Sequence, residues 1–448
     1  MLDYKQYFKG KKVTVMGLGL LGRGVGDALF LAESGAKLTI TDLKTKEQLK
    51  ESLKKLQKFK GFKYVFGEHR LEDFKNADLV LKAAGVPSDS IYINVAKNNN
   101  IPVEMSATLF LKLSGVPMVA VTGTRGKSTV AHLIAHILEF AGKKVIVGGN
   151  VRGISNLQLL KKAKNAEIAV FELDSWQLQG FGDHKISSHI SVFTTFFADH
   201  MGYYQGSTKK YFSDKSHIFK HQKKDDLLIV GIQALPFIRK WGGKLKGKII
   251  ISKGKLPKGW KLNLPGIHNE YNAELAVVAA RALSIPDIKI KKALSTFIPL
   301  AGRLQFLREI NGIKIYNDNS STTPDATIAA LAAVGDKNKR KVVLIIGGDN
   351  KFLDMSKLVH EIPKYCSKVV LFKEKGTDLI RDQVFKLKNK GVNVYEEEGL
   401  SDTIRRAFDI AEKGETILYS PAFSSFGKYF ENEYDRGDKF IKIVKSLK

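Results

Sequence analysis

A glycine-containing stretch in the first third of the chain most constrains what this sequence can fold into. Residues 119–129 read Val-Ala-Val-Thr-Gly-Thr-Arg-Gly-Lys-Ser-Thr. The apolar run predicts a buried strand, Gly123 and Gly126 predict a tight loop, and the residues after them predict the start of a helix. Backbone N–H groups of such a loop, the helix N-terminus and the Lys127 ammonium would face an anion, and the Ser128 hydroxyl suits Mg²⁺. The stretch therefore predicts a phosphate-binding loop with ATP as its ligand.

The spacing within this loop separates it from the common P-loop. Only Thr124 and Arg125 lie between the two glycines, whereas the common P-loop of GTPases and AAA-type ATPases has four residues there. This shorter spacing disfavours a GTPase, and it also disfavours a P-loop ATPase that acts on nucleic acid. The predicted ATP-binding residues are the whole loop and the start of the helix: Gly123, Thr124, Arg125, Gly126, Lys127, Ser128 and Thr129.

A second glycine-rich loop lies near the N-terminus. Residues 11–42 contain an apolar strand, the run Gly17-Leu-Gly-Leu-Leu-Gly22, a helical segment and a second strand that ends at Asp42. This is the βαβ pattern that binds a pyrophosphate, and the carboxylate lies where a ribose-binding acid is expected. The pattern fits NAD, which would make the chain an oxidoreductase, and it fits the pyrophosphate of a UDP-sugar equally well.

Length and periodicity predict several α/β domains. At 448 residues the chain is long enough for about three domains of ~150 residues. Strand-like and helix-like segments alternate throughout, which is typical of parallel sheets. We expect an α/β fold of three consecutive domains, with residues 1–102, 103–300 and 301–448 as their bounds.

Composition excludes some partners and compartments. The net charge is +28, but the lysines are scattered through every segment rather than gathered into basic blocks, so we expect no nucleic-acid partner. The one cysteine, Cys366, excludes an internal disulfide and a Cys-based metal site. No apolar run approaches the ~18 residues of a membrane span, and the N-terminus lacks the pattern of a signal peptide. We therefore expect a cytoplasmic protein.

Several polar residues of the second predicted domain follow apolar runs. Glu172, Asp199 and His200 each stand at the end of a strand-like segment. Because the carboxyl ends of parallel strands line the ligand crevice, these side chains are predicted to converge on the phosphates and to bind Mg²⁺. Asn269 and Asn272 lie three residues apart on a predicted helix, which suits amides that read an adenine edge and suits a helix N-terminus equally.

With these landmarks in order, the whole chain resembles the Mur ligase superfamily of ATP-dependent amide-bond-forming enzymes, and within it the branch that adds D-glutamate. The resemblance implies a Rossmann-like N-terminal domain for the UDP moiety, a central P-loop ATPase domain and a Rossmann-like C-terminal domain for the amino acid. It also implies UDP-N-acetylmuramoyl-L-alanine and D-glutamate as substrates, ATP and Mg²⁺ as cofactors, an acyl-phosphate intermediate in peptidoglycan precursor synthesis, and a monomer.

The resemblance assigns roles to individual residues. The implied catalytic residues are Lys127, His200 and Lys215, the last of which is similar to a lysine that the family carbamylates. The implied metal ligands are Ser128, Glu172, His200 and carbamylated Lys215. Further implied ATP contacts are Asn269, Arg303 and Asp318. The implied contacts of the UDP-linked substrate are Gly19, Leu20, Asp42, Gly85 and Asn150. The implied D-glutamate pocket contains Thr322, Lys351, Ser425 and Tyr434.

Three alternatives stay open at this point. Ser320 stands where many members of the superfamily have a lysine, so a related ligase with a different acceptor amino acid is one of them. An NAD-dependent Rossmann oxidoreductase would explain the N-terminal loop but leaves the Lys127 loop without a role. The third is a non-catalytic nucleotide-binding homologue.

Overall fold

The computed structural model describes residues 3–425 and 427–447, and it contains three β-sheets, one after another along the chain. Helices connect most of the strands, so the predicted class of three consecutive α/β domains is confirmed. Within the described residues, none of the helices combines the length and the apolar character needed to cross a membrane.

The first sheet contains the N-terminal glycine loop. Its five strands are parallel, in the order β3-β2-β1-β4-β5, and the loop joins β1 to α2. Apolar side chains of β1, β2 and α2 are buried together in one hydrophobic core. The elements are α1 Tyr4–Phe8, β1 Lys12–Met16, α2 Arg23–Glu33, β2 Lys37–Asp42, α3 Lys50–Lys54, β3 Lys63–Phe66, α4 Leu71–Lys75, β4 Leu79–Lys82, α5 Ile91–Asn98 and β5 Val103–Glu104.

The second sheet contains the phosphate loop. Its six strands are parallel, in the order β11-β10-β9-β6-β8-β7, and every residue of the central strand β6 is buried. The elements are α6 Ser106–Ser114, β6 Met118–Thr122, α7 Lys127–Phe140, β7 Val145–Gly149, α8 Leu160–Ala163, β8 Ile168–Glu172, α9 Ser175–Asp183, β9 Ile190–Phe193, α10 Thr208–Lys220, β10 Leu227–Gly231, α11 Leu235–Trp241, β11 Lys248–Ser252, α12 Ile267–Ala282 and α13 Asp287–Thr296.

The third sheet differs from the expected parallel arrangement at one edge. Its order is β12-β13-β17-β14-β15-β16, and β12 is antiparallel to β13. Asn311 and Gly312 join these two strands with φ angles of 52° and 79°, as in the two-residue turns that close hairpins. The elements are β12 Gln305–Ile310, β13 Ile313–Asn317, α14 Pro324–Val334, β14 Val342–Ile346, α15 Ser356–Tyr365, β15 Cys366–Phe372, α16 Lys375–Asp378, α17 Arg381–Phe385, a 3₁₀ helix Lys386–Lys390, β16 Asn393–Glu397, α18 Leu400–Ile410, β17 Thr416–Tyr419 and α19 Glu433–Ser446.

The chain forms two compact units. The first contains the chain up to Trp260 together with Tyr271–Leu294, and the second contains Lys261–Glu270 together with the chain from Ser295 onward. The first two sheets share a unit because one hydrophobic core connects them, with Val25 of α2 and Leu157 among its buried residues. The predicted domain bounds at 102 and 300 stay predictions.

Candidate active site

The loop between β6 and α7 has the predicted strand–loop–helix form. Gly123 has a φ of 141°, and a Cβ atom there would lie 2.0 Å from the Oγ1 atom of Thr194. Gly126 precedes the first turn of α7 with a φ of 87°, and its Cβ atom would lie 2.3 Å from the Oδ1 atom of Asn272. Both positions therefore require glycine, for the backbone angle and for the space.

Hydrogen bonds hold this loop against the segment that follows β9. The Thr124 N–H donates to the Thr195 carbonyl at 2.7 Å, and the Arg125 N–H donates to the Thr195 hydroxyl at 3.0 Å. The Phe197 N–H donates to the Thr124 hydroxyl at 3.0 Å. These hydrogen bonds fix the loop, as electrostatic stabilisation of a reacting phosphate requires.

Cationic side chains surround the loop. The Arg125 guanidinium pairs with the Asp199 carboxylate at 2.8 Å, and the Nζ atom of Lys127 lies 3.2 Å from the Thr124 carbonyl oxygen. Asp199 was predicted to face a metal, whereas in the structure it binds the loop arginine. Lys127 stands at the first position of α7, where its charge adds to that of the helix N-terminus.

Lys215 approaches the loop from α10. Its side chain is 1% exposed, and its Nζ atom donates to the Gly123 carbonyl at 2.8 Å. Burial lowers the pKa of Lys215 well below its usual value, and the nearby charge of Lys127 lowers it further. This lowered pKa favours the neutral amine, which is the nucleophilic form of the side chain.

The predicted metal ligands do not all lie in one cluster. Within residues 3–425 and 427–447, no three His, Cys, Asp or Glu side chains form a cluster that could hold a metal ion, so Glu172, Asp199 and His200 do not converge as predicted. Glu172 ends β8 beside Val121 of β6, and Ser128 lies in the first turn of α7. Both side chains are buried. His200, with a φ of 54°, has its ring 4.7 Å from that of Trp176.

Glu172 and Ser128 nevertheless suit Mg²⁺. The Glu172 side chain is 5% exposed, and among the described residues none donates a hydrogen bond to its carboxylate or forms an ion pair with it. A buried carboxylate without a cation is costly, so a bound cation would stabilise it. Mg²⁺ uses one or two carboxylates or hydroxyls and completes its octahedron with phosphate and water.

A cavity of about 210 Å³ opens between the first two sheets, and Gly19, Leu20 and Gly85 line it. Their contact with the UDP-linked substrate stays a prediction. Asp42, predicted as a further contact of this substrate, lies against the glycine loop instead of lining the cavity. Its Oδ2 atom accepts hydrogen bonds from the N–H groups of Leu18 and Gly19 at 2.9 and 3.1 Å. This carboxylate therefore stabilises the conformation of the glycine loop.

Asn150 lies where the first two sheets meet. It follows β7, its N–H donates to the Glu172 carbonyl at 2.7 Å, and its side-chain oxygen accepts a hydrogen bond from Arg23. Arg23 in turn lines the cavity of the first sheet. Asn150 thus connects that cavity with the strand that carries Glu172.

In the second unit, the segments that carry the predicted acceptor residues come together. The Nζ atom of Lys351 donates to the Thr322 hydroxyl at 2.9 Å. Asp349 and Ser424 exchange backbone hydrogen bonds of 3.1 and 3.0 Å, which brings the segment before Ser425 beside the one before Lys351. Tyr434 lies in the first turn of α19, where its N–H donates to the Asn432 cap at 3.0 Å.

The remaining predicted ATP contacts also belong to the second unit. Asp318 is buried and accepts hydrogen bonds from Leu304 N–H at 3.0 Å and from the Ser420 hydroxyl at 2.9 Å. Burial raises the pKa of Asp318 to about 6 despite these hydrogen bonds. The Asn269 amide donates to the Pro265 carbonyl at 2.7 Å, and Arg303 N–H donates to the Leu300 carbonyl at 3.1 Å.

Sequence reasoning did not identify two buried cations. Lys82 ends β4, is 3% exposed and lines the cavity of the first sheet. A lysine at the end of the apolar run Leu-Val-Leu could have marked it. Arg436 of α19 is fully buried and donates to Asn319 and to the Phe423 and Ser424 carbonyls. No local pattern distinguishes this arginine from one on the surface.

Comparison with known domain families covers most of the chain. Residues 11–104 match the MurD-like N-terminal domain of Mur ligases, residues 121–260 match the Mur ligase middle domain, and residues 302–423 match the glutamate ligase domain of Mur ligases. These three ranges follow the order of the three sheets along the chain.

Whole proteins agree with these domain matches. The UDP-N-acetylmuramoylalanine–D-glutamate ligase of Roseiflexus sp. (strain RS-1) is 32% identical, over 98% of this chain and 99% of that protein. The enzyme of that name from Streptococcus mutans is 31% identical over the full length of both chains. The fold is similar to that of the UDP-N-acetylmuramate-alanine ligase MurC from Thermotoga maritima, with a TM-score of 0.63, 19% identity, and coverage of 98% of this chain and 100% of the other. On these grounds the chain belongs to the Mur ligase family.

Proposed function

We propose that this chain is an ATP-dependent ligase that joins D-glutamate to UDP-N-acetylmuramoyl-L-alanine in peptidoglycan precursor synthesis. The observation that carries the chemistry is the rigid loop between β6 and α7. Lys127 is the first residue of α7, and the buried amine of Lys215 donates a hydrogen bond to the Gly123 carbonyl. The names of relatives that match over the whole chain support this pair of substrates.

The reaction has two steps. The alanine carboxylate of the UDP-linked substrate attacks the γ-phosphate of ATP, which gives an acyl-phosphate and ADP. The amine of D-glutamate then attacks the acyl carbon, and the tetrahedral intermediate loses phosphate to give the amide. Positioning and charge neutralisation supply most of such catalysis, which fits a rigid loop that carries Arg125 and leads into Lys127 at the N-terminus of α7.

Residues of the first unit would position both nucleotides. Lys127 and the N-terminus of α7 would hold the ATP phosphates, while Gly19, Leu20 and Gly85 line the cavity proposed for the UDP moiety. Glu172 and Ser128 would hold Mg²⁺, and His200 is proposed as a ligand of a second Mg²⁺ near the acyl-phosphate. When bound, Mg²⁺ supplies positive charge to the transferring phosphoryl group.

Lys215 has the chemistry that carbamylation needs. A neutral amine attacks CO₂ and loses a proton, which converts the side chain into a carbamate anion that can bind Mg²⁺. The buried amine beside Gly123 supports this proposal because burial lowers its pKa and so favours the unprotonated form.

The second unit would bind the acceptor amino acid. Two carboxylates of D-glutamate need cationic or hydrogen-bonding partners, and Lys351, Thr322 and Ser425 lie on segments that contact one another. One cation serves where Ser320 replaces a lysine of many relatives, so we expect weaker acceptor binding. Asn269, Arg303 and Asp318 are proposed to contact ATP, and Tyr434 the acceptor. A cytoplasmic monomer with domain bounds at 102 and 300 completes the proposal.

Phosphate release tests this function directly. The purified chain would receive ATP, Mg²⁺ and UDP-N-acetylmuramoyl-L-alanine with D-glutamate, L-alanine, L-lysine or meso-diaminopimelate in separate reactions. We expect release with D-glutamate alone, because the distal ammonium of the diamino acids would be repelled by Lys351. Preference for another acceptor would overturn the substrate and leave the ligase chemistry standing. No release with any acceptor, together with NAD(H) binding in a fluorescence titration, would favour the oxidoreductase alternative.

A further inference from the structure

Lys82 occupies a position that directly adjoins the N-terminal glycine loop. It is the last residue of β4, and it pairs with Met16 at the end of the neighbouring strand β1. The next N–H along the chain, that of Ala83, donates to the Met16 carbonyl at 2.9 Å. Lys82 and Gly17, the first residue of the glycine loop, both line the cavity of about 210 Å³. The lysine therefore lies on the same cavity wall as the start of the loop.

The ammonium of Lys82 is poorly compensated. The side chain is 97% buried, and its Nζ atom donates to the Val86 carbonyl at 2.6 Å, the one acceptor that the described part of the chain gives it. An ammonium carries three N–H groups. A buried cation whose remaining N–H groups lack acceptors is costly, unless a ligand supplies an anion.

The surrounding charges do not replace such an anion. Burial lowers the pKa of Lys82 to about 8, and Lys97 opposes its charge, while three aspartates favour it from a distance. These three are engaged elsewhere: Asp183 pairs with Lys97 at 3.6 Å, Asp214 accepts from Gln179 and Tyr204, and Asp174 caps α9. None of them forms an ion pair with Lys82 in the described residues.

The other groups around the cavity favour a doubly charged ligand. The glycine loop presents the N-terminus of α2, an 11-residue helix, and Arg23 also lines the cavity. Asp27, the one acid among the described residues of that lining, already accepts hydrogen bonds from the Ser155 hydroxyl at 2.6 Å and the Leu157 N–H at 3.3 Å. A helix N-terminus, a guanidinium and a buried ammonium together match two adjacent negative charges. A diphosphate carries two such charges, whereas the uracil and sugar of a UDP-linked compound carry none.

We propose that Lys82 binds the diphosphate of the UDP-linked substrate. This inference rests on the proposed function, because it takes the nucleotide-sugar as the ligand of the cavity. Lys82 is then a binding residue of the N-terminal domain, in addition to the glycine loop. The rival source of the anion is the alanine carboxylate of the same substrate, which UDP lacks.

Affinity measurements separate these possibilities. The full chain, Lys82→Met, Lys82→Arg and a control Lys75→Met, which removes an exposed lysine of the same domain, would be titrated with UDP-N-acetylmuramoyl-L-alanine, and UDP would then be used to displace it. We expect Lys82→Met to weaken both compounds about 10- to 100-fold, the range for loss of a charged hydrogen bond. Lys82→Arg and Lys75→Met should stay within about threefold of the wild type, and ATP affinity should not change.

The pH dependence of the affinity for UDP distinguishes a binding lysine from a structural one, because a structural lysine would not change it. Since the pKa of Lys82 is lowered to about 8, wild-type affinity for UDP should fall as pH rises from 7 to 9. Lys82→Arg, which stays charged, should hold its affinity over that range, and this comparison does not require the methionine variant to fold.

Each remaining outcome overturns a stated part. Equal affinity of Lys82→Met and wild type for both compounds overturns the role of Lys82. Weakening for UDP-N-acetylmuramoyl-L-alanine alone overturns the diphosphate and favours the carboxylate. If the wild type binds neither compound, the proposed function fails, which is a different result from failure of Lys82 alone.

Discussion

The Nζ atom of Lys215 lies 2.8 Å from the carbonyl oxygen of Gly123, so a buried amine of α10 contacts the first glycine of the loop between β6 and α7. The Thr122 hydroxyl lies 3.5 Å from the same nitrogen. This contact places a lysine of lowered pKa beside the loop predicted to bind the ATP phosphates, although Lys215 lies 92 residues after Gly123 in the chain.

Replacement of this lysine by alanine should nearly abolish turnover. If carbamylated Lys215 helps to hold Mg²⁺, Lys215→Ala should lose on the order of 10²–10³ in rate, and a small carboxylate such as acetate should partly restore it. Mass spectrometry of the intact wild-type protein at neutral pH should show the mass of one added CO₂. Full activity of the alanine variant would make Lys215 a structural residue only.

Lys127→Ala tests the loop itself. Lys127 begins α7, and its Nζ atom lies beside the Thr124 carbonyl at the surface of the loop, so its loss should leave the fold intact. We expect phosphate release to fall by on the order of 10²–10³. Lys143→Ala, which removes an exposed lysine beyond the other end of the same helix, is the matched control. A folded Lys127→Ala protein with near-normal release would contradict the assignment of this loop.

The predictable parts of the fold are those that local patterns determine. Gly123 and Gly126 were identified because a strand, a tight loop and a helix follow one another within a few residues, and both glycines occupy positive φ angles. The Asn311-Gly312 hairpin also has a local pattern. The hairpin was missed because we expected strands and helices to alternate throughout the chain.

Local patterns indicated the site only where a residue acts within its own loop, and Lys215 was indicated by the family resemblance instead. Asp199 follows a strand as a metal ligand would, yet it pairs with Arg125, which lies 74 positions earlier in the chain. Elements distant in the sequence bury both Lys82 and Arg436. The apolar run before Lys82 is a local sign of that burial, whereas Arg436 has none. Long-range contacts, rather than motif chemistry, account for these differences.

His217 should make the stability of the first unit depend on pH. Burial, together with Lys220 and His221, lowers the pKa of His217 to about 4 from its usual 6.5. Between pH 4 and 6.5 the unfolded chain therefore binds more protons than the folded chain, so the free energy of unfolding should fall as pH decreases through this range.

Chemical denaturation at several pH values checks this effect. His217→Phe keeps a ring of similar size and should show a shallower loss of stability between pH 6.5 and 4.5 than the wild type. His360→Gln, which changes an exposed histidine of the second unit, should leave the pH dependence as in the wild type. Parallel curves for the wild type and His217→Phe would show that His217 is not the group responsible.

Arg436 should control the affinity for D-glutamate without touching it. Its fully buried guanidinium donates to the Asn319 side chain at 2.7 Å, to the Asn319 carbonyl at 3.0 Å and to the Ser424 carbonyl at 3.1 Å. Asn319 precedes the Thr322 loop, and Ser424 precedes Ser425. One side chain therefore holds two of the segments proposed to bind the acceptor.

Arg436→Lys keeps the charge but loses the fork that reaches both segments at once. Each lost hydrogen bond to a charged group is worth about 1.5–3 kcal/mol, so the second unit should be less stable, and the KM for D-glutamate should rise about tenfold or more. The KM values for ATP and UDP-N-acetylmuramoyl-L-alanine should stay within about twofold, because the arginine holds only the acceptor segments. Arg405→Lys, at an exposed position of α18, serves as the control. A uniform change in all three KM values, or a loss of stability with an unchanged KM for D-glutamate, would reduce Arg436 to a residue of the hydrophobic core.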